Sequence, residues 1–327
     1  MKSVAVTALL IFIALVTGCT PADATPRQAT KSSSALVVRV LDVGQGDATL
    51  IENGTSRVLI DGGPESTRMG ELLDSLNLNG KTIDVVILTH QHADHLVGLR
   101  ALFESARQIK VRFFFENQDP YTTVNLHALR DSVLARQERG ELVYRDTDDP
   151  CANGRPICTI TMNGGAKLHI MRPLPGRTDP NDRSVAVKLV GPDSAGFSMW
   201  LAGDAEHDAI AWFLGQARYA RNPGMRVDVL KADHHGSCNG VTSAYLDATH
   251  PSLIVASVGN NGYGHMHEQA KAEYRAHGIP WYRTDQNGTI EIRAPGTLGS
   301  KYTVTVRRGA QNMRGRTDKR STQGQCL

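Results

Sequence analysis

The chain has 327 residues, with 36 Lys and Arg against 33 Asp and Glu, and 40% of it is hydrophobic. That is too apolar and too evenly charged for a disordered chain. A polytopic membrane protein is excluded as well: the one apolar run worth considering, Val4–Val16, is shorter than the roughly 20 residues that span a bilayer.

Lys2 precedes this run and small residues follow it, the layout of a secretory leader over residues 1–18. Val16-Thr17-Gly18-Cys19 resembles the bacterial lipobox, which implies cleavage before Cys19 and lipidation of that residue. The expectation is an exported, lipid-anchored protein of the cell envelope. The periplasmic side of the outer membrane is favoured because Thr20, not Asp, follows the cysteine. Residues 19–35 are rich in Pro, Ser, Thr and Ala and read as a flexible tether.

From there strands, turns and amphipathic helices alternate. Leu36–Asp42, Ala48–Glu52 and Arg57–Asp61 are β-rich and broken by glycine, which predicts an antiparallel meander. Met69, Leu72, Leu73 and Leu76 lie at helical spacing, with Gly80 as the expected stop. Asp84–Thr89 is a continuous apolar strand of the kind buried on both faces. Leu126, Leu129 and Val133 mark a helix within 123–139. Cys151 and Cys158, in the loop DPCANGRPIC, are expected to form a disulfide in an oxidising compartment; a zinc site would need two more nearby ligands, which the segment lacks.

The second half continues with strands at Leu168–Met171, Val185–Val190 and Phe197–Ala202, then a helix near Glu206–Arg218. Val227–Leu230 and Leu253–Ser257 read as strands, Glu268–His277 as a helix, and Trp281–Thr284, Thr289–Arg293 and Tyr302–Val306 as closing strands. Two clusters of strands with helices between them predict two packed sheets covered by helices, in one α/β domain over 36–307. Periodicity alone does not separate this from a doubly wound fold. Residues 308–327 form a basic tail: from Lys301 onward there are seven Lys and Arg and one acid, which leaves the rest of the chain at a net charge of −3. Such a tail suits a polyanion, or is a solvated end with no specific role.

The chemistry concentrates in Thr89-His90-Gln91-His92-Ala93-Asp94-His95, immediately after a buried strand. Residues two apart at a strand end point the same way, so His90 and His92 can converge on one metal. Asp94 and His95, at the start of the next helix, can face a second. Imidazole with carboxylate suits zinc, manganese or iron.

This HxHxDH pattern is the signature of the metallo-β-lactamase fold superfamily. LDVGQGDATLI, VLIDGG, THQHADHLVGL, NDRSVAVKL, LAGDAE, VLKADHHGS, SVGNNGYGHMH and YRTDQNGTIEI resemble, in order and spacing, the soluble metallo-β-lactamase domain of ComEC-type DNA-uptake proteins from about Leu41 to Arg293. The resemblance implies a four-layer αββα sandwich with the metals at the upper edge between the sheets. A lipobox stands where a full ComEC-type protein has its membrane channel.

By that resemblance Asp204 bridges the two metals, although an Asp here would also serve as a cap for the following helix. On extended backbone only one of the adjacent His234 and His235 would face the site. The resemblance favours His235 as the ligand, with His234 contacting substrate or supporting a ligand. Asp61 is expected to orient a ligand histidine through its ring N–H, or to form a turn before Gly62-Gly63. The further histidine ligand common in the superfamily has no counterpart here. Asn181 or Asp182 stands in its place, or water, with Ser184 nearby. His265 and His267 could contact phosphate, give a proton to the leaving oxygen, or cap a helix, and Ser237 sits beside the HHGS ligand.

The expected metal set is thus His90, His92, Asp94, His95, Asp204 and His235, holding two divalent ions, zinc or manganese. Asp94, Asp204, His265 and His267 are the expected catalytic groups. Such a pair holds a hydroxide and polarises the substrate oxygen. Asp204 together with His95 follows the hydrolytic and nuclease branches of the superfamily. The leading expectation is therefore a phosphodiesterase or nuclease acting on extracytoplasmic DNA. A metallohydrolase of another small or envelope substrate (a lactone or phosphocholine ester) and a non-catalytic DNA-binding lipoprotein are the alternatives.

Overall fold

Two β-sheets face one another, and the alternation of side chains along the strands decides what each layer covers. The computed structural model describes residues 35–117, 123–192, 196–216, 224–295 and 302–309. The expected leader, Cys19, nearly all of the tether and the tail beyond residue 309 lie outside the described residues. β1 (Leu36–Val40), β2 (Thr49–Asn53) and β3 (Ser56–Ile60) form the antiparallel meander, and β4 (Thr82–Ile87), β5 (Lys110–Glu116) and β6 (Val143–Asp146) extend it in parallel. In the second sheet β7 (Ile157–Thr161), β8 (Lys167–Met171), β9 (Ala186–Val190) and β10 (Ser198–Leu201) are antiparallel neighbours. β11 (Val229–Lys231), β12 (Leu253–Ala256) and β13 (Trp281–Arg283) then follow in parallel. The chain returns to the first sheet, where β14 (Ile290–Ala294) pairs with β1 and β15 (Thr303–Val306) takes the edge. This is not a doubly wound sheet.

Seven α-helices lie among the described residues: α1 (Ser66–Ser75), α2 (Ala93–Leu96), α3 (Val124–Glu138), α4 (His207–Gly215), α5 (Ser243–Thr249), α6 (Glu268–Ala276) and α7 (Thr284–Asn287). Three apolar clusters separate four layers. Val38, Val58 and Val85 from the first sheet meet Val187, Met199 and Val255 from the second. The neighbouring residues Leu50, Leu59 and Val86 turn outward onto α1 and α3, and Trp200, Leu230 and Ile254 turn onto α4, α5 and α6. Each large side chain buried this way contributes about 1.5–3 kcal/mol relative to exposure. The order is therefore helix, sheet, sheet, helix. Among the described residues no helix is long and apolar enough to cross a membrane.

Local chemistry shifts some expected boundaries. α1 stops at Ser75, ahead of Gly80, because Asn77 takes the left-handed conformation (φ 54). Asn77 N–H then donates to Asp74 O and Leu78 N–H to Leu73 O, closing the last turn as a Schellman motif. β5, β6, β7 and α5 escaped the sequence pattern. β5 carries exposed Arg112 and Phe113 side by side, which spoils its alternation. α5 is a seven-residue helix started by Thr242, whose hydroxyl accepts from Tyr245 N–H at 3.1 Å. Cys151 and Cys158 form the expected disulfide, with Cα atoms 5.0 Å apart. Arg308, assigned to the tail from sequence, belongs to the folded body: its guanidinium pairs with Asp42 Oδ2 at 2.6 Å, and its main-chain N–H, like that of Arg307, donates to Asn287 O.

Candidate metal centre

The parallel strands deliver their polar loops to one edge of the sandwich. Asp61 follows β3, Thr89 to His95 follow β4, Asp204 follows β10, and His234 and His235 follow β11. Val185 N–H donates to Thr89 O at 3.0 Å, which joins the two sheets at this edge. Glycine sets the approach of α2 to the end of β3. A Cβ on Gly98 would lie 1.8 Å from Gly62 O, so only bare backbone fits there. The contact is sealed by Gly62 N–H to His95 O at 2.7 Å and Gly98 N–H to Gly63 O at 2.9 Å.

That approach puts the His95 ring on Asp61. His95 Nδ1–H donates to Asp61 Oδ2 at 2.8 Å, while Thr89 N–H and Oγ1–H donate to the same carboxylate at 2.8 and 2.7 Å. The orienting role expected of Asp61 is thus available in the geometry, and it leaves a lone pair on His95 Nε2. Nε2 lies 3.2 Å from Asp204 Oδ1, and both atoms are buried. A lone pair facing a carboxylate oxygen requires a cation, either a proton or a metal. Burial opposes charge on His95, yet Asp204 and Asp61 together raise its proton affinity well above the ordinary imidazole range. The donor set around Asp204 therefore fits a metal.

Four imidazoles converge on Asp204. His235 Nε2 is 3.3 Å from Oδ2, with His90 Nε2 and His234 Nε2 each at 3.8 Å. His235 Nε2 is also 3.2 Å from Asp94 Oδ2, so Asp94, His95, Asp204 and His235 form one compact group able to hold an ion. His90 Nε2 faces His92 Nδ1 at 3.2 Å, a further pair of imidazole donors beside this group. Burial keeps His90 well below the ordinary imidazole range, and the charge on His95 adds to this, so its lone pair is free for a metal. Asp204 does not cap α4, whose N-cap is Glu206 without a side-chain bond. Its own N–H takes Ser184 Oγ at 3.2 Å.

The expectation that one of His234 and His235 turns away needs correcting. It assumed extended backbone, but both residues are left-handed (φ 47 and 55) in a tight turn, and both present Nε2 to Asp204. Their Nδ1 atoms are held from behind. His235 uses Ser257 O at 3.0 Å, and His234 uses Asn239 Oδ1 and Glu206 Oε1, each at 3.1 Å.

A cavity of about 570 Å³ opens over this cluster, lined among others by Gln45, His92, Asn181, His234, Tyr263 and His265. Asn181 donates to Glu206 Oε1 at 2.8 Å, and its own Oδ1 has no hydrogen-bond partner among the described residues. Asp182 does not line the cavity, so of the two expected residues Asn181 is the one placed to act. His267 reaches the cavity wall, but both ring nitrogens are engaged. Nδ1 accepts from Cys238 N–H at 3.1 Å and Nε2–H donates to Tyr263 O at 2.9 Å. Ser237 Oγ, 3.3 Å away, adds to that hold. His267 and Ser237 thus brace two loops, and the expected proton transfer by His267 has no free atom to perform it. His265 accepts from Gln45 Nε2 at 3.4 Å. Burial, then the charges of His235 and His234, push its pKa down to about 3, so it is neutral.

Sequence reasoning passed over several supports. Asp47 pairs with Lys231 Nζ at 2.7 Å behind His235, and its N–H donates to Asp94 O at 3.1 Å. Its place in GQGD was the available signal, since a Cβ on Gly46 would lie 2.3 Å from Asp94 O. Gln45 and Glu206 lie inside the LDVGQGDATLI and LAGDAE motifs, but only the tertiary contacts reveal what they hold.

The metallo-beta-lactamase superfamily model matches residues 41–112. The chain is 26% identical over 292 residues to ComE operon protein 3 of Bacillus subtilis, covering 82% of this chain and 34% of that protein. It is 26% identical over 258 residues to the competence protein ComA of Neisseria gonorrhoeae, covering 78% of this chain and 32% of that one. The chain thus spans about a third of the length of the curated relatives it matches. Among solved structures, a diphosphatase of the PhnP family aligns with TM-score 0.46 and 12% identity over 80% of this chain and 99% of that one. The short form of human tRNase Z aligns with TM-score 0.43 and 16% identity over 69% and 93%.

Proposed function

We propose that the chain, whose residues 41–112 match the metallo-beta-lactamase superfamily model and which resembles competence proteins over most of its length, is a metal-dependent phosphodiesterase that degrades nucleic acid outside the cytoplasm. The observation that carries this reading is the lining of the cavity over Asp204, where the imidazoles of His92, His234, His265 and His267 and the amides of Gln45 and Asn181 outnumber the carboxylates of Asp94 and Asp204. His90, His92 and Asp204 would hold one divalent ion, and Asp94, His95, Asp204 and His235 the other. Such ions supply Lewis-acid activation of water and of a phosphoryl oxygen.

The chain's own residues bind and orient. Asp61 holds His95 in one tautomer, and Ser257 O does the same for His235. Gln45 directs its amide hydrogen at His265 Nδ1, because its Oε1 already accepts from Gly259 N–H at 3.1 Å. His265 therefore keeps its proton on Nε2 and offers a neutral N–H donor to an anionic oxygen. Being neutral, it polarises a leaving oxygen by hydrogen bonding and does not protonate it from an imidazolium. The relation to competence proteins supports nucleic acid as the substrate. The lipobox-like Cys19 and the Cys151–Cys158 disulfide support an extracytoplasmic, membrane-tethered place of action.

The test is cleavage of single- and double-stranded DNA by purified protein with manganese or zinc, with and without chelator. Chelator-sensitive release of nucleotides is expected. Hydrolysis of a lactone or a phosphocholine ester with no cleavage of DNA would reject the nucleic-acid reading, and binding of DNA without any turnover would reject catalysis.

A further inference from the structure

Tyr263 is a large aromatic left open to water at the mouth of the cavity, with 69% of its surface exposed. It is not a loose side chain. Its ring stacks on His265 with centroids 5.7 Å apart and planes 28° apart, and His265 stacks in turn on His235 at 5.8 Å and 28°. Three rings thus form one column from the metal cluster to solvent. The loop beneath them is tied at several points. Tyr263 N–H and His265 N–H both donate to Asn261 Oδ1 at 3.1 Å, Asn261 Nδ2 donates to His265 O at 3.1 Å, and Tyr263 O accepts from His267 Nε2.

An exposed aromatic face costs free energy in water unless something covers it. Here the inner face is covered by His265 and the outer face is open, on a loop already ordered, so little entropy would be lost on binding. A quaternary ammonium group needs a cage of several aromatic faces, whereas Tyr263 is the one Phe, Tyr or Trp among the described residues lining this cavity. One flat face beside the His265 N–H donor fits one flat ring attached to an anion.

We propose that Tyr263 is a stacking platform for a nucleobase flanking the scissile phosphodiester, which makes this site prefer a base-bearing strand over a bare phosphodiester chain. The proposal rests on the nucleic-acid reading above and assigns the specificity of that same site. Stacking on an aromatic side chain tolerates any base sequence, because every base has a π-face.

The experiment uses the full chain loaded with manganese. Binding is read by fluorescence anisotropy with a hydrolysis-resistant phosphorothioate strand and with an abasic strand of the same length. Tyr263→Ala should weaken binding of the base-bearing strand by about 5- to 150-fold, the range for one stacked base, and leave the abasic strand unchanged. Tyr263→Phe should retain binding of the base-bearing strand within about twofold of wild type. Equal affinity of wild type and Tyr263→Ala for the base-bearing strand would overturn the platform, as would equal losses on both strands. Failure of Tyr263→Phe to restore binding would assign the effect to the hydroxyl and overturn it too. Turnover of bis(p-nitrophenyl) phosphate by wild type separates the two readings. If it persists without base discrimination, the platform alone fails. If it is absent while discrimination holds, the platform stands as a binding site and the phosphodiesterase reading fails.

Discussion

Replacing Asp61 by Asn should weaken metal binding without unfolding the protein. Asp61 is buried at 1% exposure and sits in the left-handed region (φ 58), where Asn is as well tolerated as Asp, so the backbone cost is small. The carboxylate accepts three hydrogen bonds, from Thr89 N–H, Thr89 Oγ1–H and His95 Nδ1–H. An amide oxygen can keep the bond from Thr89 N–H, which leaves the amide nitrogen facing two donors. Thr89 can adapt by rotating its hydroxyl, so that the oxygen accepts from the amide N–H where it had donated to the carboxylate. His95 cannot adapt without moving its proton to Nε2, where it would point at Asp204 Oδ1 and remove the lone pair from the metal centre. Loss of such an orienting partner typically costs 10- to 100-fold in metal affinity, about 1.4–2.7 kcal/mol. Competition for zinc against a chromophoric chelator measures this directly. An affinity within about twofold of wild type would refute the tautomer argument, since nothing else in the substitution spares the ligand.

Metal analysis of gently purified protein should find close to two ions per chain, and Asp204→Ala should lose at least one of them. Turnover should then fall by more than tenfold, about 1.4 kcal/mol of barrier; retention of more than a tenth of wild-type activity would deny Asp204 a central role. Lys231→Met should destabilise the fold by about 3–5 kcal/mol in urea titrations, because it strands the buried Asp47 carboxylate. Burial pushes the Asp47 carboxyl up, but Lys231 and His235 pull it lower still, to about 2. Its contribution is thus present above the unfolded value of 3.8 and lost as pH falls toward about 2. In Lys231→Met the loss should begin at higher pH. Deleting residues 310–327 removes Arg314, Arg316, Lys319 and Arg320 but leaves Arg308 on Asp42. The slope of log K against log salt for single-stranded DNA should flatten by about 1.4, at roughly 0.7 per contact with about two of the four contacts simultaneous. An unchanged slope would make the tail irrelevant to nucleic acid.

The sequence by itself determined which residues could do chemistry and where strands and helices alternate along the chain. HxHxDH behind a continuous apolar strand, Gly-Asp at 203–204 behind another, and His-His at 234–235 behind a third are local patterns. Strand and helix periods predicted two packed sheets covered by helices, and the resemblance supplied the four-layer order. The compact group of Asp94, His95, Asp204 and His235 consists of residues named from those patterns. What only the tertiary structure decided is where each of these side chains points. Adjacent histidines both reach Asp204 because the HHG turn is left-handed, a choice made by packing and by His234 N–H bonding to Gly203 O at 3.1 Å, not by the residue types. His267 is spent on two main-chain atoms, Tyr263 O in its own loop and Cys238 N–H, 29 positions away. Asp47 and Lys231 pair across 184 positions, a contact no local window contains. Local sequence dictates periods and turns; hydrogen bonds between distant segments dictate orientation, and the chemistry of this site is a matter of orientation.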